Sequence, residues 1–514
     1  MRRPALAVAS LLLASAAGAA GATDRPWVEV RSPHFVVLTD AGRDAGRDVA
    51  LGFEQIRSAF SMLGSGLRLD PGPPLVVIAA RDERSLRRIL PAYFEGRGRA
   101  RPKGVFLPLP QRMFVVLRED LAEPDQGGHS VLFHEYVHLL HSLNYRTLPL
   151  WLAEGLAEFY AHTTVQKDRV LVGRPAPYHL ALLRDRRLLG WPEFFAVERG
   201  SPHYNEADRV STFYAQAWAI THWLLLGDKG ANRPRLRRFT DRLAEGATAP
   251  EAARDAFPSP EELRSALDGY VAKHAFYMQT LPWRPLPPAS FAFRPVSGGE
   301  MAGWRALLHV AFGRKDDARR DVAEALRLAP EVAVGHEARA QLLYLEADLP
   351  EARAAAAAAL DRDPRNVPAL ALAALLARMP GGEGPAEAVR LLESAVHLAP
   401  GHALALAALA EARSAAGAPA HETLAIAQRA VAAWPANLMA RFALAAQLVR
   451  TGDHAGALAE AEQALALATT DEEKAAGRLV IERIKAAARP PAAQAPGDTR
   501  ARRASPPTSV TMAA

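Results

Sequence analysis

Apolar helical segments in the second half of this chain are closed at a nearly constant interval. Pro330, Pro364, Pro400 and Pro435 are spaced by 34, 36 and 35 residues, and Thr469 takes the same place 34 residues later. Five positions before each stands an alanine: Ala325, Ala359, Ala395, Ala430 and Ala464. Twelve before stand Ala318, Ala352, Ala388, Thr423 and Ala457. Small residues at fixed offsets let two helices approach closely, and proline stops the second of them. A unit of this size cannot bury an apolar face alone, so the units must stack. About five repeats over roughly 297 to 470 are expected, with "DEEKAAGRLVIERIKAAA" as a capping helix.

The rest of the chain needs a separate account, because 514 residues exceed what one hydrophobic core holds. Arg2 and Arg3 precede a short run of small apolar residues ending in Ala20-Gly21-Ala22. A charged start, an apolar stretch and a small-residue exit read as a signal peptide over residues 1–22, hence export to the periplasm of a bacterium or beyond. Cysteine is absent, so no disulfide can form in that oxidising setting and any metal must use His, Asp or Glu. Net charge is +6, or +4 without the two leader arginines, and it is dispersed. "RPRLRRF" lacks interleaved exposed aromatics and reads as a solvated helix face, so no nucleic-acid partner is expected. No later stretch is long and apolar enough to span a membrane.

"WVEVRSPHFVVLTD", "PLVVIAA" and "RMFVVLRE" read as strands and "ALGFEQIRSAFSMLG" as a helix; from Ser130 to His274 the pattern is mostly helical. A small mixed sheet followed by helices predicts an α+β domain over residues 23–280. The proline-rich segment 281–296 reads as a linker to the repeats at 297–489, and the Pro/Ala-rich tail 490–514 as disordered. The repeats resemble tetratricopeptide repeats.

The chemistry is concentrated in "HEYVHLLHSLNYRTLPLWLAEGLAEFY", His134 to Tyr160. Residues four apart share a helix face, so His134 and His138 can direct ring nitrogens at one ion. Glu135 lies about 100° round the helix, able to reach a water beside it. A catalytic zinc wants three protein ligands, and the third here must be a carboxylate or another histidine. Glu154 follows His138 by 16 residues, enough for a turn and an antiparallel return opened by Pro149; Glu158 shares its face one turn on. Four ionisable groups on the facing sides of a helical hairpin would cost several kcal/mol if buried without a cation.

HExxH followed by "WLAEGLAEF" resembles the peptidase MA-like gluzincins, and the likeness extends over Trp27 to His274. The resemblance implies an α+β zincin-like domain, one Zn2+ on His134, His138 and Glu154, and Glu135 as general base. Glu158 stands at a spacing that some gluzincins use for the ligand itself; Glu154 has the ligand's sequence context, which leaves Glu158 as an outer carboxylate holding a ligand histidine. "FYAQAWAITHWLL" resembles a downstream gluzincin helix whose tyrosine stabilises the oxyanion, which points to Tyr214, ahead of Tyr145 and Tyr160. His129, His141 and His162 read as packing or surface. "RMFVVLRE" resembles the edge strand along which gluzincins lay an extended substrate.

The function expected is an exported zinc peptidase acting on peptide or protein. Endopeptidase is the default, since no Gly-x-Met-Glu-Asn segment is present. The repeats would recruit substrate or a protein partner. The rival is a non-catalytic interaction or assembly protein that keeps a metal site for structure.

Overall fold

The computed structural model describes residues 25–488 apart from 64–65, 96–102, 110, 121–128, 146–147, 186–187, 206–209, 284–289 and 469. The expected leader (1–22) and tail (490–514), and Thr469, lie outside the described residues.

The strands are β1 (Trp27–Arg31), β2 (Phe35–Thr39), β3 (Leu75–Ala80), β4 (Gly104–Pro108), β5 (Met113–Arg118), β6 (Thr164–Val165), β7 (Arg169–Val172), β8 (Gln279–Pro282) and β9 (Ala292–Val296). Six of them form a mixed sheet in the order β4-β5-β3-β2-β1-β9, and β6, β7 and β8 form a smaller one. In the large sheet β2, β3 and β5 run parallel; β1, β4 and β9 are antiparallel to their neighbours. Every residue of β3, "LVVIAA", is buried, as an uninterrupted apolar strand requires when both faces are covered.

The helices of the first half are α1 (Arg43–Met62), α2 (Glu83–Ile89), α3 (Ser130–Asn144), α4 (Leu150–Ala161), α5 (Pro177–Asp185), α6 (Trp191–Phe195), α7 (Pro202–Asn205), α8 (Val210–Leu226), α9 (Arg233–Ala244), α10 (Ala249–Ala256) and α11 (Pro260–Val271). α1 and α3 cover one sheet face, where Val37, Val77 and Val115 meet Phe53, Tyr136 and Val137. α4 to α11 build a second core rich in aromatics, including Trp151, Phe194, Phe213, Trp218, Phe239 and Phe257.

Among the described residues the second half is five antiparallel helix pairs and a final helix. These are α12 (Gly298–Ala311) with α13 (Lys315–Leu328), α14 (Ala333–Leu345) with α15 (Leu349–Arg362), α16 (Val367–Ala377) with α17 (Pro385–Leu398), α18 (Ala403–Ala415) with α19 (Ala420–Ala433), α20 (Leu438–Arg450) with α21 (His454–Leu467), and α22 (Asp471–Ala487). All ten recurring positions named above, nine alanines and Thr423, are exposed by 1% or less. Each is where the second helix of a pair meets its neighbours, and the missing side-chain bulk sets that separation.

The described ends of the segment expected to be a linker instead belong to both sheets. β8 pairs with β7, the Trp283 N–H donates to the Asp168 carbonyl at 2.9 Å, and β9 pairs with β1 in register Val30↔Phe293. Proline is admissible because β9 is an edge strand, where Pro295 interrupts further pairing. The separation into a domain, a linker and a solenoid fails for the same reason. α12 and α14 lie on the second face of the sheet, where Met301, Trp304, Leu308, Ala338 and Leu342 pack with Leu38, Ile78, Phe114 and Val116.

The array then touches the first half again. Trp434 Nε1 donates to the Ser142 carbonyl of α3 at 2.6 Å, and His402 Nε2 to the Gln111 carbonyl at 3.4 Å. Arg112 pairs with buried Glu337 at 3.2 Å. Gly72, in the left-handed region at φ +100°, lies so near Gly401 that a Cβ would meet its carbonyl carbon at 2.8 Å.

Met301, Leu307 and Leu308 are each 4% exposed or less, and each stabilises by roughly 1.5–3 kcal/mol. Three such residues rival the whole net stability of an ordinary domain, about 5–15 kcal/mol. A chain ended after residue 283 is therefore expected to aggregate or to lack a cooperative melt, as judged by soluble yield and thermal denaturation; a soluble, sharply melting fragment would contradict the shared core.

His222 of α8 is fully buried, with Nε2 2.8 Å from the Gly173 carbonyl and Nδ1 2.7 Å from the Tyr270 hydroxyl. Burial pushes its pKa down from 6.5 to about 4. The unfolded chain then binds the extra proton, so this contribution is complete above pH 6.5 and is lost as pH falls toward 4. Urea midpoints are expected to fall over that window, and less steeply in His222→Gln.

Candidate metal centre

α3 and α4 form the expected hairpin. His134 and His138 project from one face of α3, with Nε2 atoms 3.0 Å apart. Glu154 of α4 places Oε2 3.4 Å from each of them. Donors on a tetrahedral ion with bonds of about 2.0–2.1 Å are separated by roughly 3.3 Å, so the three atoms already have the spacing of one face of such a tetrahedron.

The surrounding bonds aim those atoms inward. Glu154 Oε1 accepts from the Tyr204 hydroxyl at 3.0 Å, while Oε2 is buried without a hydrogen-bond partner among the described residues. Glu158 stands on the other side of His134, with Oε1 3.2 Å from Nδ1. A proton on Nδ1 directed at Glu158 leaves the Nε2 lone pair for an ion. The two glutamates thus take separate places, Glu154 among the donors and Glu158 behind one of them. Two imidazoles and a carboxylate suit a zinc-type ion.

The electrostatics also favour a cation. Burial opposes charge on His134, yet Glu154 and Glu158 outweigh it and hold that imidazole well above its usual pKa, so an ion binding at Nε2 would have to displace a proton. Burial would raise Glu154, but His138 and His134 keep it well below the carboxylate range. For Glu135 burial prevails over the same two imidazoles and the carboxyl is pushed up, toward the range of an effective general base.

Glu135 faces β4. The Phe106 N–H bonds to it, and Gly104 approaches so closely that a Cβ there would stand 2.9 Å from Glu135 Oε1. This corrects the expected edge strand: "RMFVVLRE" is β5, an interior strand between β4 and β3, and among the described residues the sheet edge beside Glu135 is β4. "GVFLP" escapes recognition because it is short, bounded by Gly and Pro, and without alternation.

Tyr214 lies at the site, its ring 6.2 Å from His134. It stacks on Tyr204 at 6.0 Å and is hydrogen-bonded to it. Tyr204, which bonds Glu154, was not legible: "SPHYN" carries no periodicity linking it to a site 50 residues earlier. His179 was missed likewise; its Nε2 is 2.8 Å from Glu158 Oε2. His141 packs 5.7 Å from the His138 ring, and burial pushes it down to about 3, which keeps it neutral. His129 packs against Phe133 and Gly52. Tyr160 packs on Phe60, Tyr145 is exposed, and His162 lies beside Glu158.

The sequence matches no protein-family model and no curated protein. Among solved structures it is similar to a thermophilic TPR protein of Thermus thermophilus, at 18% identity and TM-score 0.32 over 36% of this chain and 100% of that one. Pseudomonas aeruginosa PilF is similar at 16% and 0.31, over 37% and 89% of the two chains. PilW, a type IV pilus biogenesis factor, is similar at 16% and 0.32, over 37% and 92%. At these scores the likeness carries no weight of its own, and the repeat architecture rests on the helix pairs seen directly.

Gly155 explains how Glu154 is seated. A Cβ at this position would fall 2.5 Å from the Ala217 carbonyl oxygen of α8 and closer still to Thr221 Oγ1. Gly155→Ala is expected to destabilise by on the order of 1–3 kcal/mol through overpacking and to weaken zinc binding by displacing its neighbour. Thermal denaturation and a zinc titration check both effects.

Proposed function

We propose that this chain is an exported, zinc-dependent peptidase, with endopeptidase action as the default. The observation that carries the reading is the triangle of His134, His138 and Glu154 donor atoms, 3.0 to 3.4 Å apart, with buried Glu135 between it and a free strand edge. A zinc-type ion, when bound, supplies Lewis acidity toward a carbonyl and acidifies the water beside it. Glu135 accepts a proton from the attacking water and returns it to the leaving amine. β4 is an edge strand, and backbone groups along it other than the Phe106 N–H, which bonds to Glu135, could pair with an extended peptide. Tyr204 keeps the outer oxygen of Glu154 engaged, and Tyr214 is the phenol nearest the imidazoles for a developing oxyanion. Export rests on the leader-like residues 1–22; among the described residues no helix is long and apolar enough to cross a membrane.

A second reading is an interaction or assembly protein whose metal site is structural, and the five stacked helix pairs favour it. Glu135 separates the two, since a structural site has no use for a buried base. Glu135→Gln is expected to leave zinc content unchanged and to cut hydrolysis of an unfolded protein by about 10²–10⁴-fold. If the zinc-loaded wild type cleaves nothing across a broad peptide library, the interaction reading replaces the peptidase.

A further inference from the structure

A second group of donors lies behind the first. Glu158 in the last turn of α4, His162 at its C-terminal cap and His179 in the first turn of α5 bring one donor atom each within 4.8 Å of the others. Glu158 Oε2 is 2.8 Å from His179 Nε2 and 4.0 Å from His162 Nε2. We propose that Glu158, His162 and His179 form a second, weaker site for a divalent cation of the zinc type.

The donor set repeats that of the first centre, two imidazoles and a carboxylate. Two ligands of one ion, at bonds of about 2.0–2.2 Å, stand roughly 3 to 4 Å apart, so the Glu158–His179 pair at 2.8 Å must open slightly while His162 needs little or no movement toward Glu158. A hydrogen bond from His179 would suffice to orient Glu158, but it gives His162 no role. At 4.0 Å the His162 nitrogen is too far to hydrogen-bond that oxygen, and it is within the spacing of a shared ion. Among the described residues, His179 Nδ1 is also buried without a partner. The side chains are 11% to 16% exposed, so the group is not sealed from solvent. The looser spacing and the nearby charge of Arg174, which donates to Thr164 Oγ1 at 2.6 Å, make this the weaker of the two sites.

Glu158 serves both groups, because its other oxygen faces His134 Nδ1. An ion at the second site therefore draws on the carboxylate that orients a donor of the first, and excess zinc slows hydrolysis. That coupling rests on the peptidase reading; the site itself does not.

The test is a calorimetric titration of chelator-stripped full-length protein with zinc chloride, repeated with cobalt(II) and its ligand-field absorption. Wild type is expected to take a tight and a weaker equivalent. His162→Ala and His179→Ala should each lose the weaker one alone, and His138→Ala should lose the tight one alone. His162 sits at a partly exposed helix end, so its variant separates ligation from folding, with circular dichroism matched to wild type. A wild type that takes one equivalent, or a His162→Ala protein that still takes two, overturns the second site. Failure of the first centre shows differently, as a His138→Ala protein that keeps the tight equivalent.

Discussion

A sheet that is apolar on both faces must be covered twice, and in this chain the second cover comes from the repeat array. α12 and α14 do for one face what α1 and α3 do for the other. The closing strand β9 leads straight into α12, and Arg294 of β9 pairs with buried Glu29 of β1 and, at 2.7 Å, with Glu300 of α12. Because the sheet is held rigid from both sides, α3 is fixed on it. Because α3 is fixed, its imidazoles keep their place opposite α4.

The hairpin that carries the candidate site was legible because its determinants are local. His134 and His138 are one helical turn apart, and the return to Glu154 spans a single short connection. The repeat alanines were legible for the same reason, as a period repeated five times. What escaped depends on pairing between distant segments. β9 lies 265 positions from the strand partner its arginine reaches, and its proline, Pro295, speaks against a strand until its place at the sheet edge is known. Tyr204 and His179 belong to other helices, brought to Glu154 and Glu158 only by the packing of α4, α5, α7 and α8.

The buried charges follow one logic. Glu154 and Glu158 are taken from water at a cost that only several partners can offset, and each has them: two imidazole nitrogens and Tyr204 for the first, His134 and His179 for the second. Glu337 shows the same rule away from the site, where Arg112 and Asn366 share its carboxylate. These networks fix geometry more than they add stability, since an apolar core of equal volume would serve stability as well.

The contact of Trp434 with Ser142 spans 292 positions of sequence. Native contacts between such distant segments make folding slow, because a long loop must close before any of its enthalpy is recovered. A polypeptide emerging amino-end first would have synthesised its entire sheet apart from one strand while that sheet's second face was still bare. The nascent chain therefore passes through a long interval of exposed apolar strand, in which chaperone capture competes with aggregation.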